Sequence, residues 1–287
     1  MLVHIKKILN KAVKGKYAVG AFNANNLEIV LAIIGAAENK KSPVIIQMTE
    51  GAIKYAGLEE MVAIVSAAAS GVNVPVAMHL DHGHDFAIIK KCIKAGFSSV
   101  MLDGSLYPYK KNVQLTRKVV NYAKKYDVFV QGEMGKLEGL EDWVKVKSGD
   151  AYLTDPMEAK QFVAETGIDT LAVAIGNYHG VEKIIEKKVL RLDLKRLAEI
   201  AKVVSVPLVL HGASGFAPRE IKSAIGLGIR VVNIDSDLRV SFTLAERKFL
   251  KENKAVFDPR KILEPAILAM QDTVEKKILM FGSANKA

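Results

Sequence analysis

Eight short hydrophobic runs alternate with longer amphipathic segments along this chain, and this alternation limits its possible folds more than any other feature. Runs rich in β-branched and aliphatic residues predict strands at Tyr17–Asn23, Pro43–Met48, Pro75–Asp81, Ser98–Asp103, Val128–Glu133, Thr170–Gly176, Pro207–His211 and Val231–Asp235. Apolar residues at helical spacing predict helices at Leu27–Asn39, Leu58–Ser70, Phe86–Ala95, Val113–Tyr126, Pro156–Thr166, Leu194–Val203 and Pro218–Gly226.

Eight strand-then-helix units predict an α/β fold, a single (β/α)₈ TIM barrel. The chain has 287 residues, and a barrel of this kind typically needs about 250. No stretch has the composition of a linker. We therefore expect residues 1–287 to form one barrel domain.

The composition is that of a globular protein without membrane segments. Apolar residues make up 50% of the chain, which is enough for a sizeable core. The longest apolar stretch, Met61–Met78, is interrupted by Gly71, Asn73 and Pro75, so it does not predict a membrane span. The single cysteine, Cys92, excludes an internal disulfide and lies in a helical run, which favours a structural role. We expect a cytoplasmic protein that does not bind membranes.

The net charge of +10 does not by itself indicate nucleic-acid binding. The lysines occur as scattered pairs rather than as one basic block with interleaved aromatic residues, so we expect solvated helix surfaces and no nucleic-acid partner. Steering of an anionic substrate by the positive field is the alternative interpretation of this charge.

Polar residues follow the predicted strands where each strand ends. In a barrel these carboxyl ends surround one mouth, so side chains that are distant in sequence meet there. Such groups are costly at the buried ends of apolar strands unless they satisfy one another or a ligand. In chain order they are Asn23, Gln47, Thr49, Asp81, His82, Asp103, Ser105, Glu133, His179, His211, Ser214, Asn233, Asp235 and Ser236.

Three of these residues are histidines next to glycine-rich turns, namely His82, His179 and His211. Imidazole nitrogens suit zinc, and a catalytic zinc usually keeps three protein ligands and one open position. Asp81 directly precedes a predicted ligand and is the first candidate for proton transfer. Asp103 and Glu133 are expected near the metal, either orienting the histidines or as alternate ligands.

The last two predicted strands end in HGASG and NIDSD, whose glycines and small hydroxyl residues leave backbone N–H groups available for phosphate. Barrels commonly bind phosphate with the loops after strands seven and eight, and Gly180 would add a further donor. No lysine lies at a predicted strand end, so an imine mechanism lacks an obvious nucleophile. The residues therefore predict a zinc lyase or isomerase acting on a phosphorylated ketose.

The motifs HLDHGH, LDGS, GEMG, GNYHG, LVLHGASG and NIDSDLR, in this order, resemble those of the class II fructose-bisphosphate and tagatose-bisphosphate aldolases. The resemblance extends from GAFNANN to the tail FGSANKA. It implies that His82, His179 and His211 bind a catalytic zinc, and that Asp81 exchanges a proton with the hydroxyl beside the cleaved carbon–carbon bond. Glu141 matches the second proton carrier.

The resemblance also implies a set of substrate contacts and a cofactor. The positions that match contacts to dihydroxyacetone phosphate or to the sugar are Asn23, Gly180, Gly212, Ser214, Asn233 and Ser236. Asp235 and Arg239 match sugar and distal-phosphate contacts of the fructose-bisphosphate branch. Arg260 matches an arginine that some relatives insert into the neighbouring subunit's site, which implies a homodimer or homotetramer. Besides zinc, a monovalent cation, Na⁺ or K⁺, is the second implied cofactor.

Two segments depart from the family pattern, and they keep other functions open. GKLEGLEDW replaces a more glycine-rich loop that is expected to be mobile, and VEKIIEKKVLR after His179 lacks the usual Gly- and Pro-containing turn. The favoured activity is reversible cleavage of fructose 1,6-bisphosphate to dihydroxyacetone phosphate and glyceraldehyde 3-phosphate, in glycolysis and gluconeogenesis. The alternatives are a tagatose 1,6-bisphosphate aldolase, a barrel zinc hydrolase and a catalytically silent sugar-phosphate binding protein.

Overall fold

The computed structural model describes residues 1–141, 144–146, 151–186 and 189–287, without the side chains of 140, 141 and 144–146. Its strands are β1 (Val19–Asn23), β2 (Val44–Thr49), β3 (Val76–Gly83), β4 (Ser99–Leu102), β5 (Phe129–Met134), β6 (Glu138–Glu141), β7 (Val144–Val146), β8 (Thr170–Val173), β9 (Tyr178–His179), β10 (Leu208–Leu210) and β11 (Ile229–Ile234).

Helices cover the outside of the barrel. One helix precedes the first strand along the chain, and two follow the last strand. They are α1 (Ile5–Gly15), α2 (Leu27–Asn39), α3 (Glu50–Ala56), α4 (Leu58–Ser70), α5 (Phe86–Lys94), α6 (Tyr109–Ala123), α7 (Pro156–Thr166), α8 (Glu182–Ile185), α9 (Leu194–Val203), α10 (Pro218–Leu227), α11 (Ser236–Glu252) and α12 (Pro259–Phe281). A 3₁₀ turn at Lys124–Tyr126 continues α6.

The eight predicted strands form a closed parallel barrel in the order β1-β11-β10-β8-β5-β4-β3-β2. Each strand pairs with the next predicted strand along the chain, and β11 closes the barrel on β1 with Val19 opposite Val231. The predicted fold class is therefore confirmed. All seven predicted helices are present as well, and α2, α4, α7 and α9 have the predicted bounds.

Alternation along the strands divides the apolar residues between two cores. Ala21 of β1 belongs to a small cluster inside the barrel, whereas the next residue, Phe22, packs in the large cluster between sheet and helices. The same division separates Ile45 from Ile46 on β2. The interior of an eight-stranded barrel is narrow, so small and β-branched side chains lie inside it and larger ones lie outside.

Additional elements lie outside the predicted units. Helix α1 packs Ile5, Ile8 and Leu9 against the interior cluster and so covers one end of the barrel. At the other end of the chain α11 and α12 pack on each other, and α12 also packs on α2. Strands β7, β6 and β9 form a separate three-stranded sheet. None of the helices in the described part of the chain is long and apolar enough to cross a membrane.

We predict that Cys92 is inert in the native protein. Its side chain is completely buried in α5, and burial, followed by the negative charge of Glu50, raises the thiol pKa to about 12. At pH 8 only about one thiol in ten thousand is then ionised, and the thiolate is the reactive form. Iodoacetamide followed by mass measurement should leave the native chain unmodified and add one group in denaturant. Rapid labelling of the native protein would contradict this prediction.

Candidate active site

Asp81 and His82 both face the barrel mouth because β3 is irregular at this point. Leu80 pairs with Val100 and Gly83 with Leu102, so three steps along β3 oppose two along β4. His82 has a left-handed backbone with φ of 45°, which costs about 1–2 kcal/mol in a residue other than glycine. The extra residue and this conformation interrupt the usual alternation, in which adjacent side chains point to opposite faces.

The three predicted histidines meet at the mouth. One ring nitrogen from each of His82, His179 and His211 lies within 4.8 Å of the others. The Nε2 of His82 and the Nδ1 of His211 are 2.8 Å apart. Both rings are buried and that of His179 is half-buried. Three converging imidazole nitrogens match the ligand set of a catalytic zinc, so these residues fit a divalent metal.

Two buried carboxylates lie on the far side of the His82 ring from His211. The Nδ1 of His82 is 2.9 Å from Oδ2 of Asp103 and 3.8 Å from Oε2 of Glu133. Burial favours a higher pKa for Asp103, but hydrogen bonds from His82 and Ser105 and the charge of His82 outweigh it, and the pKa falls well below its usual range. Because the Asp103 carboxylate accepts the hydrogen bond from Nδ1 of His82, the Nε2 of the same ring is available to bind a metal.

His211 has two amide neighbours that the strand-end pattern did not assign to it. Gln131 of β5 places its side-chain Nε2 2.8 Å from the Nε2 of His211, and Asn177 donates to the His211 carbonyl oxygen at 3.0 Å. Gln131 precedes Glu133 by two residues and therefore faces the same side of β5. The two-residue periodicity of β5 could therefore have predicted that Gln131 faces the site. Asn177 carries no such signal because it lies in the loop after β8.

Asp81 is held by three side-chain amides from different strands. Its Oδ2 accepts from Asn23 at 2.8 Å and Gln47 at 3.0 Å, and its Oδ1 accepts from Asn233 at 3.2 Å. The same Oδ1 is 3.9 Å from the Nε2 of His82. The amides fix the orientation of the carboxylate beside the histidine cluster, where it can exchange a proton with a bound ligand.

The other three histidines lie outside this cluster. His79 is buried inside the barrel, where its Nδ1 is 2.8 Å from the hydroxyl of Ser99. Burial, with a smaller contribution from the charge of His82, lowers the pKa of His79 to about 3, so its ring is neutral. His4 lies near the carbonyl oxygen of Asp127, and His84 is exposed after β3. Among the described residues, none of these three histidines joins the group formed by His82, His179 and His211.

A cavity opens beside the histidines toward the ends of β10 and β11. Its volume is about 660 Å³ including the part open to solvent, within the range of small-ligand sites, about 300–1,000 Å³. The predicted substrate residues that line it are Asn23, Gly180, Gly212, Ser214, Asn233, Asp235, Ser236 and Arg239. The cavity also contains Lys183, which is 2% exposed and was missed because it follows no barrel strand.

The two predicted distal-phosphate arginines lie in different places. Arg239 pairs with Asp235 through a 2.8 Å contact at the cavity rim, where both side chains are partly exposed. Arg260 lies at the start of α12, 91% exposed, and pairs with Asp258 at 2.9 Å. The structure therefore does not bring Arg260 to the cavity of its own chain.

The first segment that departs from the family pattern forms strands, and one of them pairs with β9, which lies just before the second segment. β6 pairs with β9 in parallel, with Gly139 opposite His179, and β7 pairs with β6. The segment that the sequence predicted as a loop thus contains strands. Glu141 ends β6, but its side chain and residue Trp143 lie outside the described residues.

Comparison with known proteins gives a consistent result over the whole chain. Residues 3–286 match the family model described as fructose-bisphosphate aldolase class-II. Fructose-bisphosphate aldolases from Thermus caldophilus and Helicobacter pylori are 44% and 42% identical to it, each over 100% of both chains. A solved structure from Coccidioides immitis, titled a putative fructose-1,6-biphosphate aldolase, is 35% identical with a TM-score of 0.88, over 99% of this chain and 97% of that one.

We predict that Gly212 cannot carry a side chain without disturbing the cavity. Its φ is 56°, and a Cβ would lie 2.6 Å from the Tyr178 carbonyl oxygen and 2.7 Å from a ring carbon of His179. Gly212→Ala should lower the free energy of unfolding by about 1–3 kcal/mol. The control is Gly226→Ala in α10, where a Cβ meets nothing within 4 Å and should add about 0.5–1 kcal/mol. Urea unfolding curves measure both, and equal stabilities would refute the prediction.

Proposed function

The chain belongs to the class II fructose-bisphosphate aldolase family, and from that premise we propose that the barrel mouth around Asp81, His82, His179 and His211 is its active site. Members of this family cleave fructose 1,6-bisphosphate reversibly to dihydroxyacetone phosphate and glyceraldehyde 3-phosphate. The observation that carries the assignment is the convergence of three imidazole nitrogens within 4.8 Å of one another, next to a carboxylate held by three amides.

The family is metal-dependent, and we propose that the metal bound by this chain is zinc. Three histidine nitrogens with an open position are the donor set of catalytic zinc sites. When bound, the ion supplies Lewis-acid polarisation of a carbonyl and stabilises the negative charge that develops on cleavage. Asp103, through its 2.9 Å contact with Nδ1 of His82, accepts a hydrogen bond and orients that ring. Gln131 contacts the Nε2 of His211 at 2.8 Å and limits the movement of the second ring.

Asp81 is the proposed base for cleavage. In this role it removes the proton from the hydroxyl next to the breaking carbon–carbon bond, and the amides of Asn23, Gln47 and Asn233 keep its carboxylate in position. A general base contributes about 10²–10⁴-fold to rate. Glu141 is the proposed second proton carrier, and it would act on the dihydroxyacetone phosphate product. The pairing of its strand, β6, with β9, which contains His179, supports this role.

The dihydroxyacetone phosphate end of the substrate is proposed to bind in the cavity beside β10 and β11. Gly180, Gly212, Ser214 and Ser236 would hold the phosphate with backbone N–H groups and hydroxyls, and Ser236 opens the 17-residue helix α11, whose N-terminus attracts anions. Asn233 would contact the reacting oxygens. Its buried Oδ1 has no hydrogen-bond partner among the described residues, which supports a ligand contact there.

The distal phosphate is proposed to bind Arg239, with Asp235 contacting the sugar, as in the fructose-bisphosphate branch. Arg260 would complete this site from a neighbouring subunit, because it is exposed and remote from the cavity of its own chain. A homodimer or homotetramer, one domain over residues 1–287 and a cytoplasmic location remain predictions. The monovalent cation that the resemblance implies, Na⁺ or K⁺, also remains a prediction.

We predict fast cleavage of fructose 1,6-bisphosphate that a chelator abolishes and zinc restores. Tagatose 1,6-bisphosphate, which differs in configuration at the fourth carbon, should be cleaved more slowly because Asp235 and Arg239 suit the fructose sugar. Coupled assays of both substrates, before and after chelator and again after zinc, measure this. Preference for tagatose bisphosphate would change the proposed roles of Asp235 and Arg239. Cleavage of neither substrate would refute the proposed function.

Asp81→Ala and His211→Ala should separate proton transfer from metal binding. The first should retain zinc and lose about 10²–10⁴-fold in kcat, because it removes only the base. The second should weaken zinc binding, because it removes one of three nitrogen donors. Zinc content by atomic absorption and kcat, measured on both variants, distinguish the two. Wild-type turnover of Asp81→Ala, or unchanged zinc affinity of His211→Ala, would remove that residue from its assigned role.

A further inference from the structure

Asp237 lies beside the proposed phosphate site and forms an ion pair with a lysine from another helix. Its Oδ2 is 2.5 Å from the Nζ of Lys277 on α12, and the two side chains are only 15% and 12% exposed. Asp237 directly follows Ser236 in the first turn of α11. We propose that Asp237 and Lys277 are positioning residues of the dihydroxyacetone phosphate site. The carboxylate holds the loop after β10 in place, and the ammonium cancels a negative charge that would otherwise repel the phosphate.

Two hydrogen bonds connect Asp237 to the loop after β10. The Gly215 N–H donates to Oδ2 of Asp237 at 3.3 Å, and the Asp237 N–H donates to the hydroxyl oxygen of Ser214 at 3.2 Å. A serine hydroxyl that accepts through its oxygen still has its own proton to donate. Ser214 is buried and lines the cavity. Asp237 therefore fixes the position of a hydroxyl that is proposed to bind phosphate.

The same carboxylate is unfavourable for binding an anion. The N-terminus of α11 carries a partial positive charge that attracts phosphate, and a carboxylate in the first turn of the helix offsets that charge. Like charges that are close together in a partly enclosed site also repel each other more strongly than they do in water. Asp237 without a counter-ion would therefore hold the loop in place and weaken phosphate binding at the same time.

Lys277 resolves this conflict because its ammonium contacts the carboxylate directly. The lysine belongs to α12, which packs on α11, so tertiary structure brings the two charges together. The adjacent Lys276 is different, since it pairs within α12 with Asp272 at 2.5 Å and both side chains are more than half exposed. Exposed pairs contribute little, whereas salt screens a largely enclosed pair much less. The two neighbouring lysines thus provide a test residue and its matched control.

Calorimetric titration of the zinc-loaded full chain with inorganic phosphate and with dihydroxyacetone phosphate tests the two charges separately. The inference rests on the proposed function for the position of the phosphate, so binding is measured apart from cleavage. Lys277→Met leaves the carboxylate uncompensated and should weaken binding at least about fivefold. Asp237→Asn leaves the ammonium uncompensated, keeps an acceptor for the Gly215 N–H, and should strengthen binding at least about threefold. The double variant should bind within about twofold of wild type, because both charges are gone.

A further variant and steady-state kinetics test the positioning role. Asp237→Ala removes the acceptor for the Gly215 N–H as well as the charge, so it should bind phosphate at least about fivefold more weakly than Asp237→Asn. Lys277→Met should raise KM for fructose 1,6-bisphosphate without lowering kcat more than about twofold, because Asp81 and the histidines are unchanged. Lys276→Met is the control and should keep phosphate affinity within about twofold of wild type. Zinc content and the melting temperature report whether each variant is folded.

Opposite effects of the two single substitutions are the decisive outcome, since either substitution would break a purely structural ion pair equally. Phosphate affinity that falls in both folded single variants, or changes in neither, would overturn the inference, as would a double variant that binds as weakly as Lys277→Met. If Lys277→Met does not fold, Asp237→Asn still decides, because unchanged or weaker phosphate binding by that variant overturns the inference. Opposite effects on phosphate binding in an enzyme that cleaves no bisphosphate would instead contradict the proposed function.

Discussion

Closure of the sheet between β1 and β11 is the constraint on which the site depends. Val19 pairs with Val231 and Ala21 with Asn233, so Asn233 and Asn23 come to the same rim although 209 residues separate them along the chain. Asp81 accepts hydrogen bonds from both of these asparagines. A shift of one residue in the closing pair would turn Asn233 to the other face of the sheet and remove it from Asp81.

Within this rigid frame, β3 contains a local departure from regular geometry. The left-handed backbone at His82 and the extra residue between Leu80 and Gly83 are unfavourable by themselves. They place Asp81, the proposed proton carrier, and His82, a predicted metal ligand, side by side, which a regular strand cannot do. Gly83 accommodates the irregularity, since a Cβ there would lie 2.6 Å from the carbonyl oxygen of Met101. Hydrogen bonding of His82 to Asp103 then fixes the direction of the ring.

The buried polar groups around the histidines hold proposed site residues in position and also stabilise the fold. Gln47 donates to both Asn23 and Asp81, and Gln131 reaches His211 from inside the barrel. Lys183 joins the carbonyl groups beside His179 and His211. Low exposure makes each of these bonds costly to lose, because a buried polar group without a partner loses its hydration uncompensated. Substitutions at Gln47 or Gln131 would therefore disturb both stability and chemistry.

The barrel and much of its rim could be predicted from the sequence alone. Strand and helix periodicity is local, and the β-then-α order leaves few topologies, so residues that follow strands, such as His82 and His211, were predictable as neighbours. Other contacts depend on geometry that no local pattern encodes. Three features arise only when distant segments pack together. They are the irregularity of β3 at His82, the covering of one end of the barrel by α1, and the pairing of Gly139 with His179. Lys183 is the clearest case, since a lysine in a polar segment predicts a solvated surface, and only the tertiary structure encloses it between two carbonyl oxygens.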